Sequence, residues 1–96
     1  MNLELEDKIK KLLKDLADAE PDFITVFDIN NNTKAKILLK DRMKLVLKYK
    51  NIIEQFEADT KCTLSIGPLA FVIVDGATRY IAYFVDEYIQ IESQTF

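Results

Sequence analysis

The segment from Leu64 to Glu92 constrains the fold most, because its composition and its interruptions together predict adjacent β-strands. β-branched and aromatic residues dominate the segment, and they are interrupted at Gly67-Pro68, Asp75-Gly76 and Asp86-Glu87. An Asp-Gly pair between two apolar runs is typical of a two-residue hairpin turn in which both central residues take positive φ. We therefore predict an antiparallel meander with strands at 69–74, 78–85 and 88–92.

The first two of these strands are apolar at nearly every position, rather than at alternate positions. In the strand 78–85, Ile81 and Tyr83 point to one side while Ala82 and Phe84 point to the other. Strands with this pattern are usually covered on both faces. We therefore expect one helix on each face of the sheet.

The N-terminal segment has the pattern of an amphipathic helix. Asn2 is a favourable N-cap residue, and Pro21 disfavours helical conformation at Glu20. The spacing predicts a helix over 3–19. Its apolar stripe consists of Leu5, Ile9, Leu12, Leu13 and Leu16.

The middle of the chain predicts a hairpin followed by a second helix. The runs 23–29 and 34–40 alternate or are rich in β-formers, and the three asparagines at 30–32 favour a turn between them. Asp41 can cap a helix over about 42–59. The whole chain, 1–96, is therefore one α+β domain with the order α-β-β-α-β-β-β and a five-stranded antiparallel sheet.

The composition argues against catalysis. The chain has no histidine, two glycines and one cysteine, Cys62, and therefore lacks the commonest general base and any phosphate-binding glycine-rich loop. We predict no enzymatic activity, no cofactor and no metal. The N-terminus lacks a signal-peptide pattern, and the longest apolar run, 69–74, is too short to cross a bilayer. We expect a cytoplasmic protein without membrane insertion.

Charge is unevenly distributed along a chain of net charge −3. Residues 33–50 carry seven Lys or Arg and one acid, whereas the segments on either side are acidic. This stretch is a candidate site for an acidic protein or an anionic surface, although no aromatic residues are interleaved to stack on nucleic acid bases. The basic candidates are Lys34, Lys36, Lys40, Arg42, Lys44 and Lys48.

The order of elements, and the runs Phe-Val-Ile-Val-Asp-Gly at 71–76, Tyr-Ile-Ala-Tyr-Phe-Val at 80–85 and Tyr-Ile-Gln-Ile at 88–91, resemble the roadblock family of dynein light chain-like domains. That resemblance implies a profilin-like α/β/α sandwich. Longer members carry a third helix after the last strand, whereas only 93–96 remain here. In this respect the chain is similar to the short roadblock-like subunits of the Ragulator scaffold.

The resemblance implies a non-enzymatic, dimerising adaptor that acts as a scaffold or regulator of small Ras-like GTPases, or as a dynein cargo adaptor. The implied partners are a second copy or a related roadblock-like chain, together with a GTPase. Related profilin-like folds also serve as small-ligand or signal sensors. The alternatives are therefore a sensor with a pocket on one sheet face, or a binder of anionic surfaces or nucleic acid through 34–50.

The residues themselves also favour a dimer. In the predicted sheet, strand 69–74 has one free, wholly apolar edge, which soluble proteins usually protect. Met43 and Leu47 lie off the core stripe of the second helix, either as incidental surface residues or as part of an interface. The second helix is basic in its first half and acidic in its second, which suits antiparallel pairing. The predicted dimer surface consists of Met43, Leu47, Lys50, Glu54, Leu69, Phe71 and Ile73.

Overall fold

The structure, a computed structural model, describes residues 2–30, 39–67 and 69–95, and of residues 39–41 it describes the backbone. The helices are α1 (Leu3–Ala19), α2 (Asp22–Val26), α3 (Leu39–Lys48) and α4 (Lys50–Thr60). The strands are β1 (Thr63–Ile66), β2 (Phe71–Asp75), β3 (Thr78–Val85) and β4 (Tyr88–Thr95). The fold is therefore α+β, with the helices preceding the sheet along the chain.

The four strands form one antiparallel sheet in the order β1-β2-β3-β4. The predicted meander is confirmed, and β3 has the predicted bounds. β2 begins at Phe71 rather than Leu69, because the backbone N–H of Gly67 donates to the carbonyl oxygen of Ala70 at 2.7 Å and closes a turn before the strand. β1 is a further strand, which the sequence pattern did not predict.

The expectation that both central residues of the first hairpin turn have positive φ is wrong, and the two hairpin turns differ in this respect. Asp75 pairs with Thr78, so the central residues of the first turn are Gly76 and Ala77. Only Gly76 has a positive φ there, at 59°, which is typical of a type II′ turn. Positive φ at both central residues occurs instead in the β3–β4 turn, at Asp86 (48°) and Glu87 (75°).

The predicted first helix is confirmed as α1. The side chain of Asn2 accepts a hydrogen bond from the backbone N–H of Leu5 at 3.1 Å, which satisfies one of the free donors of the first turn. The five residues of the predicted apolar stripe are all buried.

The predicted strand 23–29 is wrong, because residues 22–26 form α2. Phe23, Val26 and Phe27 are buried at the i, i+3, i+4 spacing of a helix, and Pro21 initiates the turn. The backbone of this segment meets the sheet at an isolated parallel bridge between Asp28 and Phe84. Of its predicted partner strand 34–40, residues 34–38 lie outside the described residues and the last two begin α3.

The predicted second helix is present but broken in two. Tyr49 separates α3 from α4, with φ of −109° and ψ of 26°. The backbone N–H groups of Ile52 and Ile53 both reach the Tyr49 carbonyl, at 3.2 and 3.3 Å, so the second helix restarts directly after the break.

The helices and one face of the sheet enclose a single core. α1 and α4 contact each other, and both contribute side chains to this core. The arrangement of one helix on each face of a five-stranded sheet is therefore not confirmed. The sheet residues in the core or packed against it are Leu64, Ile66, Phe71, Ile73, Tyr80, Ala82, Phe84, Ile89 and Ile91.

Candidate protein-interaction surfaces

The structure does not support the strand residues of the predicted dimer surface, Leu69, Phe71 and Ile73. Phe71 and Ile73 are fully buried in the core. Ile73 pairs with Leu64 on β1 and with Tyr80 on β3, so β2 is a central strand without a free edge. Leu69 is half-buried in the turn that precedes β2. Edge-to-edge pairing of β2 with a second chain is therefore not available in this fold.

The helical half of that surface is exposed. Met43 and Leu47 lie one turn apart on α3, with 47% and 63% of their surface accessible. We call these two residues the helical stripe. Leu45 and Tyr49, on the other side of the same segment, pack against the core. The helical stripe is thus apolar surface that the core of this chain does not use.

Lys50 and Glu54, also predicted in the dimer surface, form an ion pair with each other on α4. Lys50 Nζ lies 3.5 Å from Glu54 Oε1, and both side chains are more than half exposed. Exposed i, i+4 pairs of this kind contribute only about 0.3–0.5 kcal/mol, so a partner could replace either contact at small cost.

Of the predicted basic patch, the structure describes the side chains of Arg42, Lys44 and Lys48. Lys34, Lys36 and the side chain of Lys40 lie outside the described residues, and Lys44 is exposed. Arg42 does not belong to an exposed patch. Only 8% of its surface is accessible, and its guanidinium carbon lies 6.0 Å from the centre of the Phe27 ring. Burial lowers the pKa of the Arg42 guanidinium, and its Nε has no hydrogen-bond partner within the described part of the chain.

Lys48 is also engaged within the chain. Its Nζ lies 3.1 Å from Oε2 of Glu20, at the C-cap of α1, and the Tyr49 hydroxyl donates to the same oxygen at 2.9 Å. The hydrogen bond from Lys48 lowers the pKa of Glu20, and the same bond raises the pKa of Lys48. With Arg42 buried, the case for binding an anionic surface through 34–50 loses one of its six residues, and Lys48 would have to give up its contact with Glu20.

The side of the sheet that faces away from the helices carries a second apolar surface, which was predicted to be covered by a helix. We call it the outer sheet face. Its apolar members do not belong to the core and do not pack against it. Tyr83 is buried and Tyr88 is 73% exposed, whereas the others are half-buried. The residues are Val72, Val74, Ile81, Tyr83, Val85 and Tyr88.

Polar side chains border the outer sheet face. The Tyr83 hydroxyl donates to Oε1 of Glu92 at 2.8 Å, and this bond raises the pKa of Tyr83. Arg79 donates to the side-chain oxygen of Gln94 at 2.9 Å. Thr63 on β1 completes this border. An apolar centre with a polar border is the usual anatomy of a protein–protein interface.

A groove of about 720 Å³ runs between α1 and α4. Its floor includes Leu12, Ile52 and Phe56, and its borders are charged or amide side chains. The groove lies in the helical layer, whereas the sensor alternative placed a pocket on a sheet face. The one cysteine, Cys62, is buried, and its sulfur lies 3.4 Å from the Thr60 carbonyl oxygen.

Comparisons with known proteins leave the family open. No protein-family model, no curated protein and no solved structure matches this chain. Within residues 2–30, 39–67 and 69–95, no three acidic, cysteine or histidine side chains gather in a group that could hold a metal ion. No helix in the same ranges has both the length and the apolar character needed to cross a membrane.

Proposed function

We propose that this chain is a non-enzymatic, dimerising adaptor that binds other proteins through two separate surfaces. The observation that carries the proposal is the pair of apolar surfaces that remain outside the core, the helical stripe and the outer sheet face. They lie on different layers of the fold, and an adaptor needs at least two binding surfaces. Contiguous apolar patches with polar borders are typical of such surfaces.

The helical stripe is the proposed site for a partner protein. Leu47 and Met43 offer a small apolar anchor at 63% and 47% exposure, and Lys44 beside them is exposed and positively charged. This chemistry fits a partner with an apolar pocket bordered by acidic side chains. The resemblance to the roadblock family supplies the proposed class, a small Ras-like GTPase, and the expected cytoplasmic setting is kept as part of the proposal.

The proposed roadblock relationship requires one adjustment. That family implies strands between the first and second long helices, whereas α2 occupies residues 22–26 here. The proposal of an adaptor therefore depends on the exposed surfaces and not on the details of the family sandwich.

Site-specific photo-crosslinking tests the partner surface. A photo-reactive residue in place of Leu47 should crosslink the purified chain to a Ras-like GTPase in cell extract, identified by mass spectrometry. Leu3 is the matched control, because it is a leucine of similar exposure, 66%, on a different helix. Crosslinking of the same proteins from both positions, or of no GTPase from position 47, would contradict the proposed partner.

A binding measurement with the recovered GTPase gives the second readout. Leu47→Glu should weaken binding at least about tenfold, because a buried charge replaces an apolar anchor. Leu3→Glu should leave the affinity unchanged. Equal affinities for the two variants would argue against the helical stripe.

A further inference from the structure

We propose that the outer sheet face is covered by the same face of a second copy of this chain, so that two sheets pack face to face with their strands running in opposite directions. This inference rests on the proposed function and identifies the surface that makes the adaptor dimeric. It replaces the edge-to-edge pairing of β2, which β1 prevents.

The composition of the face supports an apolar contact of this kind. Val72, Ile81 and Val85 are half-buried on the two central strands, although the described helices pack on the other side. β-branched side chains on a sheet form the interdigitating layer of a sandwich, about 10 Å thick. A second sheet of the same composition would bury these side chains, with Tyr88 of each copy at the margin.

The size of the face is compatible with a dimer. Four strands spaced about 4.8 Å apart, averaging about six residues of about 3.3 Å each, give a flat footprint of roughly 400 Å². The side-chain relief makes the accessible area larger than the footprint. Standard interfaces bury about 800 Å² on each partner and weak, transient ones less than about 600 Å². We therefore expect a dimer that dissociates on dilution.

The charges at the two ends of β3 favour one orientation. Glu92, opposite Ile81 near the middle of the sheet, carries its charge on the same face and is hydrogen-bonded to Tyr83. Arg79 lies at the start of β3, whereas Asp86 and Glu87 form the turn at its other end. Asp75 lies at the same end of the sheet as Arg79. Its position in β2 belongs to the other face of the sheet, which the helices cover. When the strands of the two copies run in opposite directions, each Arg79 approaches the acidic turn of the other copy. The opposite orientation places like charges together, which is unfavourable. A two-fold axis that lies in the plane of the interface and perpendicular to the strands produces the favourable arrangement.

Sedimentation equilibrium over a concentration series tests the dimer. The wild type should change from monomer to dimer with rising concentration. Tyr88→Glu, at a position exposed enough to keep the fold, should weaken the dimer by about tenfold. Leu47→Glu should leave it unchanged. A wild type that is monomeric at every concentration, or a dimer lost through Leu47→Glu, would overturn the proposal.

Charge reversal provides a test that does not depend on any single variant folding well. Arg79→Glu and Glu87→Arg should each weaken the dimer, and the double variant should recover much of the loss, with a smaller recovery at high salt. Failure of the double variant to recover, with circular dichroism unchanged, would overturn the orientation. Crosslinking at position 47 reports on the partner surface separately, so failure of the dimer and failure of the proposed adaptor function are distinguishable.

Discussion

The Tyr49 hydroxyl donates a hydrogen bond of 2.9 Å to Oε2 of Glu20, and so joins the break between α3 and α4 to the C-cap of α1. Lys48 Nζ contacts the same oxygen at 3.1 Å. The Tyr49 ring also lies edge-on to Phe23, with centroids 5.5 Å apart at an angle of 64°. The position of the helix break is therefore determined by contacts with residues far away in the sequence.

The Glu20 contacts should make the free energy of unfolding depend on pH in the acidic range. The pKa of Glu20 is below its ordinary value of 4.5, chiefly because of the hydrogen bond from Lys48 and then that from Tyr49. A carboxyl whose folded pKa is depressed contributes stability above its unfolded pKa and loses it as pH falls through the folded pKa. Urea unfolding from about pH 7 to about pH 3 should show wild type and Glu20→Gln converging below pH 4.5.

Tyr49→Phe is the matched variant for this contact, because it removes only the hydroxyl. It should lower stability at neutral pH and add little to Glu20→Ala in the double variant, since the alanine removes the oxygen that accepts the Tyr49 hydroxyl. Fully additive losses would show that the hydrogen bond does not couple them.

Phe71 should be essential to folding. Its ring stacks on Phe27 with centroids 4.2 Å apart, and it is fully buried. Phe71→Ala should lower the free energy of unfolding by about 3–5 kcal/mol, and Phe71→Leu by less, because leucine leaves a smaller cavity. Denaturant unfolding at several protein concentrations measures the loss. A loss that vanished at low concentration would show that Phe71 acts at a dimer interface instead.

The sequence pattern predicted α1 and β3 correctly, because the hydrophobic period, the helix-capping residue and the turn residues all indicate the same elements there. The same signals failed at 23–27, since Phe23, Thr25 and Phe27 have strand spacing while Phe23, Val26 and Phe27 have helix spacing. A segment of five residues satisfies both periods, and packing decided between them. The break at Tyr49 could not be predicted, because its partner Glu20 lies 29 residues away.

The candidate surfaces were predictable only in part. Met43 and Leu47 fall outside the core stripe of their helix in the sequence, and both are exposed in the structure. The burial of Arg42 was not predictable, because it depends on Phe27 lying beside α3. Apolar residues on both sides of 78–85 indicate that each face is covered, but this pattern cannot distinguish a helix of the same chain from a second molecule.

A substitution in the β3–β4 turn should stabilise the fold. Glu87 has a φ of 75°, a conformation that costs a residue with a side chain roughly 1 kcal/mol relative to glycine. Glu87→Gly should therefore raise the free energy of unfolding by several tenths of a kcal/mol up to about 1 kcal/mol. Gln90→Gly, an exposed position within β4, is the control and should lower it. Thermal unfolding distinguishes the two outcomes.

Arg42 provides the last prediction, because a buried guanidinium is costly unless its donors are satisfied. It lies over the Phe27 ring, burial lowers its pKa, and Nε has no partner in the ranges that the structure describes. Replacing a buried charge with an apolar side chain of similar volume is often neutral or stabilising by about 1 kcal/mol or more. Arg42→Met should therefore unfold at the same or a higher urea concentration than the wild type.

Two further variants separate charge from packing at this position. Arg42→Ala should be less stable than Arg42→Met, because it also removes the buried aliphatic stem of the side chain. Lys44→Met, an exposed neighbour on α3, should change the free energy of unfolding by less than about 0.5 kcal/mol. If Arg42→Met were instead as unstable as Arg42→Ala, the guanidinium itself would stabilise the fold, and its contact with Phe27 would outweigh the cost of burying the charge.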